Sequence, residues 1–129
     1  MLIEWEDIYS VGIEEFDNDH KKLIELINRL HQAMLDKKAK EVLGEIINEL
    51  VDYTIYHFNK EEAMFDAKGY SKSDEHKEKH SSLVSRVAQL KEDFESNKIA
   101  LSMETLKFLQ DWLMEHIVKE DKQYRYELS

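Results

Sequence analysis

A chain of 129 residues with 28 acidic and 18 basic side chains, hence a formal net charge of −10, is one domain by size and carries a surface that repels nucleic acid and anionic membranes. The absence of cysteine excludes disulfides, thiolate metal sites and cysteine nucleophiles. No run of about 18 apolar residues offers a membrane span, and the opening segment MLIEWEDIYSVGIEE lacks the basic, apolar and small-residue zones of a signal peptide, so a cytoplasmic protein is the expectation.

With no proline and only three glycines, long helices can run unbroken. An N-terminal arm, residues 1–16, carries Trp5, Ile8, Tyr9, Val11 and Ile13, enough apolar area to pack against the rest. Apolar residues at steps of three and four then predict four helices. The first, about 17–37, aligns Phe16, His20, Leu23, Ile27, Leu30 and Met34 on one stripe. In the second, about 40–67, the stripe is Leu43, Ile47, Leu50, Thr54, His57, Glu61 and Met64, with Gly69 as a C-terminal stop. Gly44 inside this helix costs about 1 kcal/mol relative to alanine, which suggests a closely packed neighbour. The third, about 73–96, aligns His76, His80, Leu83, Val87, Leu90 and Phe94, with Ser71 or Ser73 as N-cap. The fourth, about 103–118, aligns Leu106, Leu109, Leu113 and His116 after Ser102. The short connections DKKAK, KGYSK and SNKIAL favour antiparallel neighbours. The expected fold is all-α, a single domain over 1–129 forming an up-down-up-down four-helix bundle.

That topology gathers the histidines. His20 lies near the start of the first helix, His57 and Glu61 near the end of the second, His76 and His80 near the start of the third, and His116 near the end of the fourth. All share one end of the bundle. Each occupies an inward slot where leucine would ordinarily sit, and a buried polar group without a partner costs on the order of 1–3 kcal/mol, more if charged. The pairs His57/Glu61 and His76/His80 are spaced i, i+4, so each pair projects from one helix face. Either pair alone reads as a solvated surface feature; the coincidence of five histidines at one end argues for a metal centre. Imidazole suits zinc, copper, iron and nickel, and carboxylates bridge cations. A structural metal takes about four ligands, so this set predicts two ions.

Two positions test the reading. Beyond His116, Glu120 faces the same way on a regular helix, whereas Asp121 is rotated about 140° and reaches the site only through a π-type turn; spacing leaves both open. His31 shares the face of His20 but sits roughly 16 Å further along the axis, at about 1.5 Å per residue, and should not be a ligand.

The segments VGIEEFDNDHKKLIELIN, HFNKEEAMF, GYSKSDEHKEKH and DWLMEHIVKEDKQY, with their H…HxxxE…HxxxH…HxxxxD spacing, resemble the hemerythrin family, its bacterial members in particular. The resemblance implies a non-haem di-iron cofactor with an oxo or hydroxo bridge. It implies one iron on His76, His80 and His116, and the other on His20 and His57 with an open coordination position. Glu61 and Asp121 are then the bridging carboxylates, which favours Asp121 over Glu120. The implied activity is reversible dioxygen binding. Leu113 resembles the family's apolar gate over the oxygen pocket, with Trp112, Ile117, Phe58 and Leu23 as neighbours. Two departures stand out: Asp19 replaces a common glutamine and Ser71 a common proline. Asp19 removes no ligand but alters the polarity around the centre, and with it the oxidation rate.

Ligand chemistry separates binding from catalysis. Oxygen-activating di-iron bundles of the ferritin-like type use mostly carboxylates with Glu-x-x-His pairs, and this chain has no Glu-x-x-His. Five neutral imidazoles supply less negative charge to stabilise high-valent iron. An oxygen carrier, store, delivery protein or sensor is therefore expected rather than an enzyme. A di-iron oxidoreductase of peroxidase or nitric oxide reductase type is the alternative, and a zinc-stabilised structural bundle a third. Dioxygen is the expected ligand, an oxygen-using enzyme a possible recipient, and a monomer the expected state.

Overall fold

The computed structural model describes residues 3–96, 103–116, 121 and 123. After a 3₁₀ turn, Asp7–Tyr9, come α1 (Glu14–Leu35), α2 (Lys40–Lys68), α3 (Ser73–Glu95) and α4 (Met103–Glu115), with no strand among the described residues. Helix α1 packs on α2 and α4, and α2 on α3. This is the antiparallel four-helix bundle that the hydrophobic periodicity predicts. Among the described residues, no helix is long and apolar enough to cross a membrane.

The helix ends follow local chemistry. Helix α1 begins earlier than its apolar stripe because Glu14, Glu15 and Asp17 in the first turn suit the positive end of the helix dipole. Asp17 also fastens the arm, accepting hydrogen bonds from the Val11 amide at 2.8 Å and the Ser10 hydroxyl at 2.6 Å. Gly69 ends α2 as expected, in the left-handed conformation at φ 66°, where glycine has no Cβ to clash. The turn after it is tight, Ser73 N–H bonding Tyr70 C=O at 3.2 Å, and Ser73 is already helical. Lys72 consequently occupies the N-cap of α3, and neither Ser71 nor Ser73 caps it.

The arm packs largely as its composition suggests: Trp5, Tyr9, Val11 and Ile13 lie against the bundle, Ile3 joins them and Ile8 does not. Ile3 is buried in the main core, held by the Asn28 side-chain amide, which accepts from Ile3 N–H at 2.8 Å and donates to Ile3 C=O at 2.7 Å. Val11 is fully buried, whereas Ile8, on the 3₁₀ turn, is 62% exposed. The main core runs along the bundle through Leu26, Ile27, Leu30, Ile47, Leu50, Val87, Leu106 and Leu109. A smaller cluster of Val11, Phe16, Phe65 and Tyr70 closes one end. At the other end Phe94 crosses Gly44, and a Cβ built on that glycine would meet the ring at 3.8 Å. The neighbour is there, in ordinary van der Waals contact rather than interlocked.

Candidate metal centre

The inward stripe of each helix delivers its polar residues to one place. His20 from α1, His57 and Glu61 from α2, His76 and His80 from α3, and His116 at the end of α4 are all at most 3% exposed, and Asp121 is fully buried. His116 and Asp121 are both π-helical. That widened turn is what rotates a residue five positions on back toward its histidine. Glu120 lies outside the described residues.

The Nε2 atoms converge on the two carboxylates. Asp121 Oδ1 lies 3.0 Å from His76 Nε2 and 2.9 Å from His116 Nε2, while its Oδ2 lies 2.8 Å from His20 Nε2. Glu61 Oε1 lies 3.3 Å from His57 Nε2, 3.2 Å from His80 Nε2 and 3.9 Å from His116 Nε2. His20 Nε2 and His57 Nε2 face each other at 2.9 Å. Two overlapping donor groups result: Glu61, His76, His80, His116 and Asp121 in one, His20, His57, Glu61 and Asp121 in the other, the donor atoms of each within 4.8 Å of one another. The two carboxylates are common to both.

Electrostatics favour cations here. Burial pushes the Glu61 carboxyl up, but the surrounding histidines, His57 foremost, hold it well below the ordinary carboxylate range. Asp121 is likewise held low, burial and the Glu61 charge being outweighed by His116 and His20. In return, burial pulls His57 and His116 down, yet the Glu61 charge beside the first and the Asp121 charge beside the second raise them to about 9 and about 10. His80 is lowered, because burial outweighs its contact with Glu61. Despite the short contacts, His80 Nε2, His116 Nε2 and both Asp121 oxygens are buried without a hydrogen bond of acceptable geometry. Lone pairs aimed at a common point rather than at protons are what a metal pair requires. The residues present fit such a pair.

Aromatic rings pack around the donors. Phe58 stacks on His80 with ring centroids 3.8 Å apart and planes 3° from parallel, and leans on His116 at 5.0 Å. Phe16 meets His57 edge-on at 5.7 Å and Phe65 meets His76 at 4.8 Å. Leu23, Trp112 and Leu113 are buried in the same core as Phe58. Trp112 and His116 also line a cleft of about 600 Å³ between α3 and α4, with Leu83, Arg86 and Phe108. Ile117 lies outside the described residues. His31 is half-buried and belongs to neither donor group.

The family model described as Hemerythrin HHE cation binding domain matches residues 11–126. The chain belongs to the hemerythrin family. It is 36% identical over 123 residues to a bacteriohemerythrin of Stenotrophomonas maltophilia, covering 95% of this chain and 79% of the relative. Against a bacteriohemerythrin of Methylococcus capsulatus it is 34% identical over 116 residues, covering 90% and 88%. Among solved structures, wild-type hemerythrin superposes with a TM-score of 0.91 at 30% identity, covering 98% of this chain and 97% of that one. Within this hemerythrin fold the clustered histidines, Glu61 and Asp121 form a potential metal site.

The resemblance put Asp19 beside the centre, but sequence reasoning found neither the donor it touches nor the approach of Glu62. Asp19 precedes His20 in the chain, yet its carboxylate bonds His57 on the neighbouring helix. Glu62 reaches His80 Nδ1 at 3.3 Å from the half-exposed side of α2. The sequence cue was an aspartate beside an inward histidine, where the family commonly has glutamine; which ring it meets depends on how α1 and α2 are rotated.

Proposed function

We propose that this hemerythrin binds dioxygen reversibly at a di-iron centre bridged by an oxo or hydroxo group, as a cytoplasmic carrier, store or delivery protein. The observation that carries the reading is the unequal sharing of donors: Glu61 and Asp121 belong to both groups, but one group has three imidazoles and the other two. His76, His80 and His116 would hold one iron, and His20 and His57 the other. The second iron thus has one protein donor fewer, which leaves a position for a small ligand. When bound, the iron pair supplies the electrons that make dioxygen uptake tight and its release possible.

The chain's own residues do the rest. Glu61 and Asp121, both fully buried, would offset the charge of two cations held by the histidines. Phe58, Leu23, Trp112 and Leu113 supply an apolar wall that keeps bulk water and its protons from the open position, Leu113 acting as the gate and Ile117 as a further neighbour. Neutral imidazoles as the dominant donors disfavour high-valent iron, which favours binding over oxygenation. Dioxygen is the ligand and an oxygen-using enzyme the recipient, with the chain acting as a monomer. One observation speaks for an oxidoreductase instead: the α3/α4 cleft has room for a co-substrate beside His116.

The deciding experiment is an absorption spectrum of the iron-loaded protein in air, after dithionite and after oxygen removal, with iron counted per chain. The carrier reading expects two irons and a visible band that appears with oxygen and disappears when it is withdrawn. Sustained turnover with peroxide or nitric oxide and a reductant would favour the enzyme. A colourless protein holding zinc, expressed with ample iron, would overturn both.

A further inference from the structure

The five imidazoles are not held alike. His57 is fully buried and its Nδ1 lies 2.8 Å from Asp19 Oδ2. Asp19 is itself 4% exposed, and two further groups engage it: the Tyr53 hydroxyl donates to Oδ1 at 2.9 Å, and Lys60 Nζ lies 2.8 Å from Oδ2. Lys60 is anchored in turn by Glu15 at 2.9 Å and by the face of Tyr56 at 4.8 Å. An ionised carboxylate only accepts, so the hydrogen bond must come from Nδ1–H of His57. In the neutral ring that a metal requires, this fixes which nitrogen carries the lone pair: Nε2, the atom directed at Glu61 and His20.

His80 offers the contrast. Its Nδ1 meets Glu62 at a longer 3.3 Å, and the Glu62 side chain is 29% exposed. A partly solvated acid at that longer distance neither fixes a ring nor feeds charge to it as a buried, triply engaged carboxylate does.

We infer that Asp19 is the positioning residue of the two-histidine half of the centre: its carboxylate, immobilised by Tyr53 and Lys60, locks the His57 ring with Nε2 toward the metal and makes that ring a stronger donor. The inference rests on the two-metal reading above and adds an asymmetry to it. Carboxylate–imidazole–metal arrangements fix ring orientation and raise ligand basicity, and loss of the outer partner costs 10–100-fold in metal affinity. Here that loss falls on one metal alone. The iron with fewer protein donors is the one whose ligand Asp19 strengthens.

The test is an anaerobic competition of the intact protein against a colorimetric iron(II) chelator, comparing the parent with Asp19→Ala, Asp19→Asn and Glu62→Ala. Asp19→Ala should weaken one of two irons by about 10–100-fold and leave the other at parental affinity. Asp19→Asn, whose amide oxygen still accepts from Nδ1–H, should recover part of the loss, and Glu62→Ala should change little. In zinc-loaded, ¹⁵N-labelled protein, the His57 Nδ1 proton should exchange slowly in the parent and Asp19→Asn, and rapidly in Asp19→Ala. A purely structural tie between α1 and α2 would lower both affinities together, in step with melting temperature, and that result overturns the inference. So does an unchanged affinity in Asp19→Ala. A parent that holds a single ion instead defeats the two-metal reading, and Asp19 is then judged on whether Asp19→Ala weakens that ion. A parent that holds none defeats both.

Discussion

The two ends of the bundle use the same helical stripes for opposite purposes. At one end the inward slots hold His20, His57, Glu61, His76, His80 and His116; at the other they hold Leu30, Ile47, Leu90 and Leu106, all buried. Periodicity is indifferent to what fills a slot, so an identical backbone pattern gives a dry apolar core or a charged pocket. What differs is the energetic condition for burial. The apolar end is stabilised by loss of water-exposed surface alone. The polar end tolerates burial because each imidazole faces a carboxylate and each carboxylate several imidazoles.

The largest expected effect comes from removing one member of the polar end. His80→Ala takes away a donor that touches Glu61 and the stacking partner of Phe58. It should lose iron and stability together, because metal binding free energy contributes to folding. Leu90→Ala, in the far core, should cost about 2–5 kcal/mol with iron content unchanged. Metal analysis beside thermal melts checks both, and retained iron in His80→Ala would erase the distinction between the ends.

A smaller effect separates the ends without mutation. In chelator-treated protein His57 and His116 carry raised values of about 9 and about 10 against an ordinary 6.5. Groups raised in the folded state contribute stability that is fully present below pH 6.5 and is lost as pH climbs through those values. The metal-free protein should therefore weaken between about pH 6.5 and 10, by an amount on the order of a few kcal/mol. His80, lowered by burial, acts in the opposite sense and only below 6.5. Iron-loaded protein should show no such decline, since metal replaces the protons. Melting temperature against pH in both states is the measurement, and parallel curves would contradict the proposed ligands.

The smallest effect belongs to the apolar end. Gly44→Ala places a methyl at van der Waals distance from Phe94, with no clash to relieve. Removing the glycine penalty in a helix interior should raise stability by up to about 1 kcal/mol and leave iron untouched. Chemical denaturation would register it; a destabilised variant would mean that Phe94 cannot yield.

Much of this was legible without a structure. The four stripes, the stop at Gly69 and the gathering of five histidines at one end follow from periodicity and short connections, because both are local properties of a helix. The family resemblance singled out Asp121, whereas spacing alone left Glu120 equally open. Other features depend on how helices are rotated against each other, which the packing of whole faces sets and no local pattern encodes. The reach of Asp19 across to His57 rather than its neighbour His20, the stacking of Phe58 on His80, and the outward turn of Ile8 all belong to that second class. Sequence determined which residues enter the interior at one end; tertiary packing decided which atom of each meets which partner, because a hydrogen bond or a metal bond is won or lost over about half an ångström.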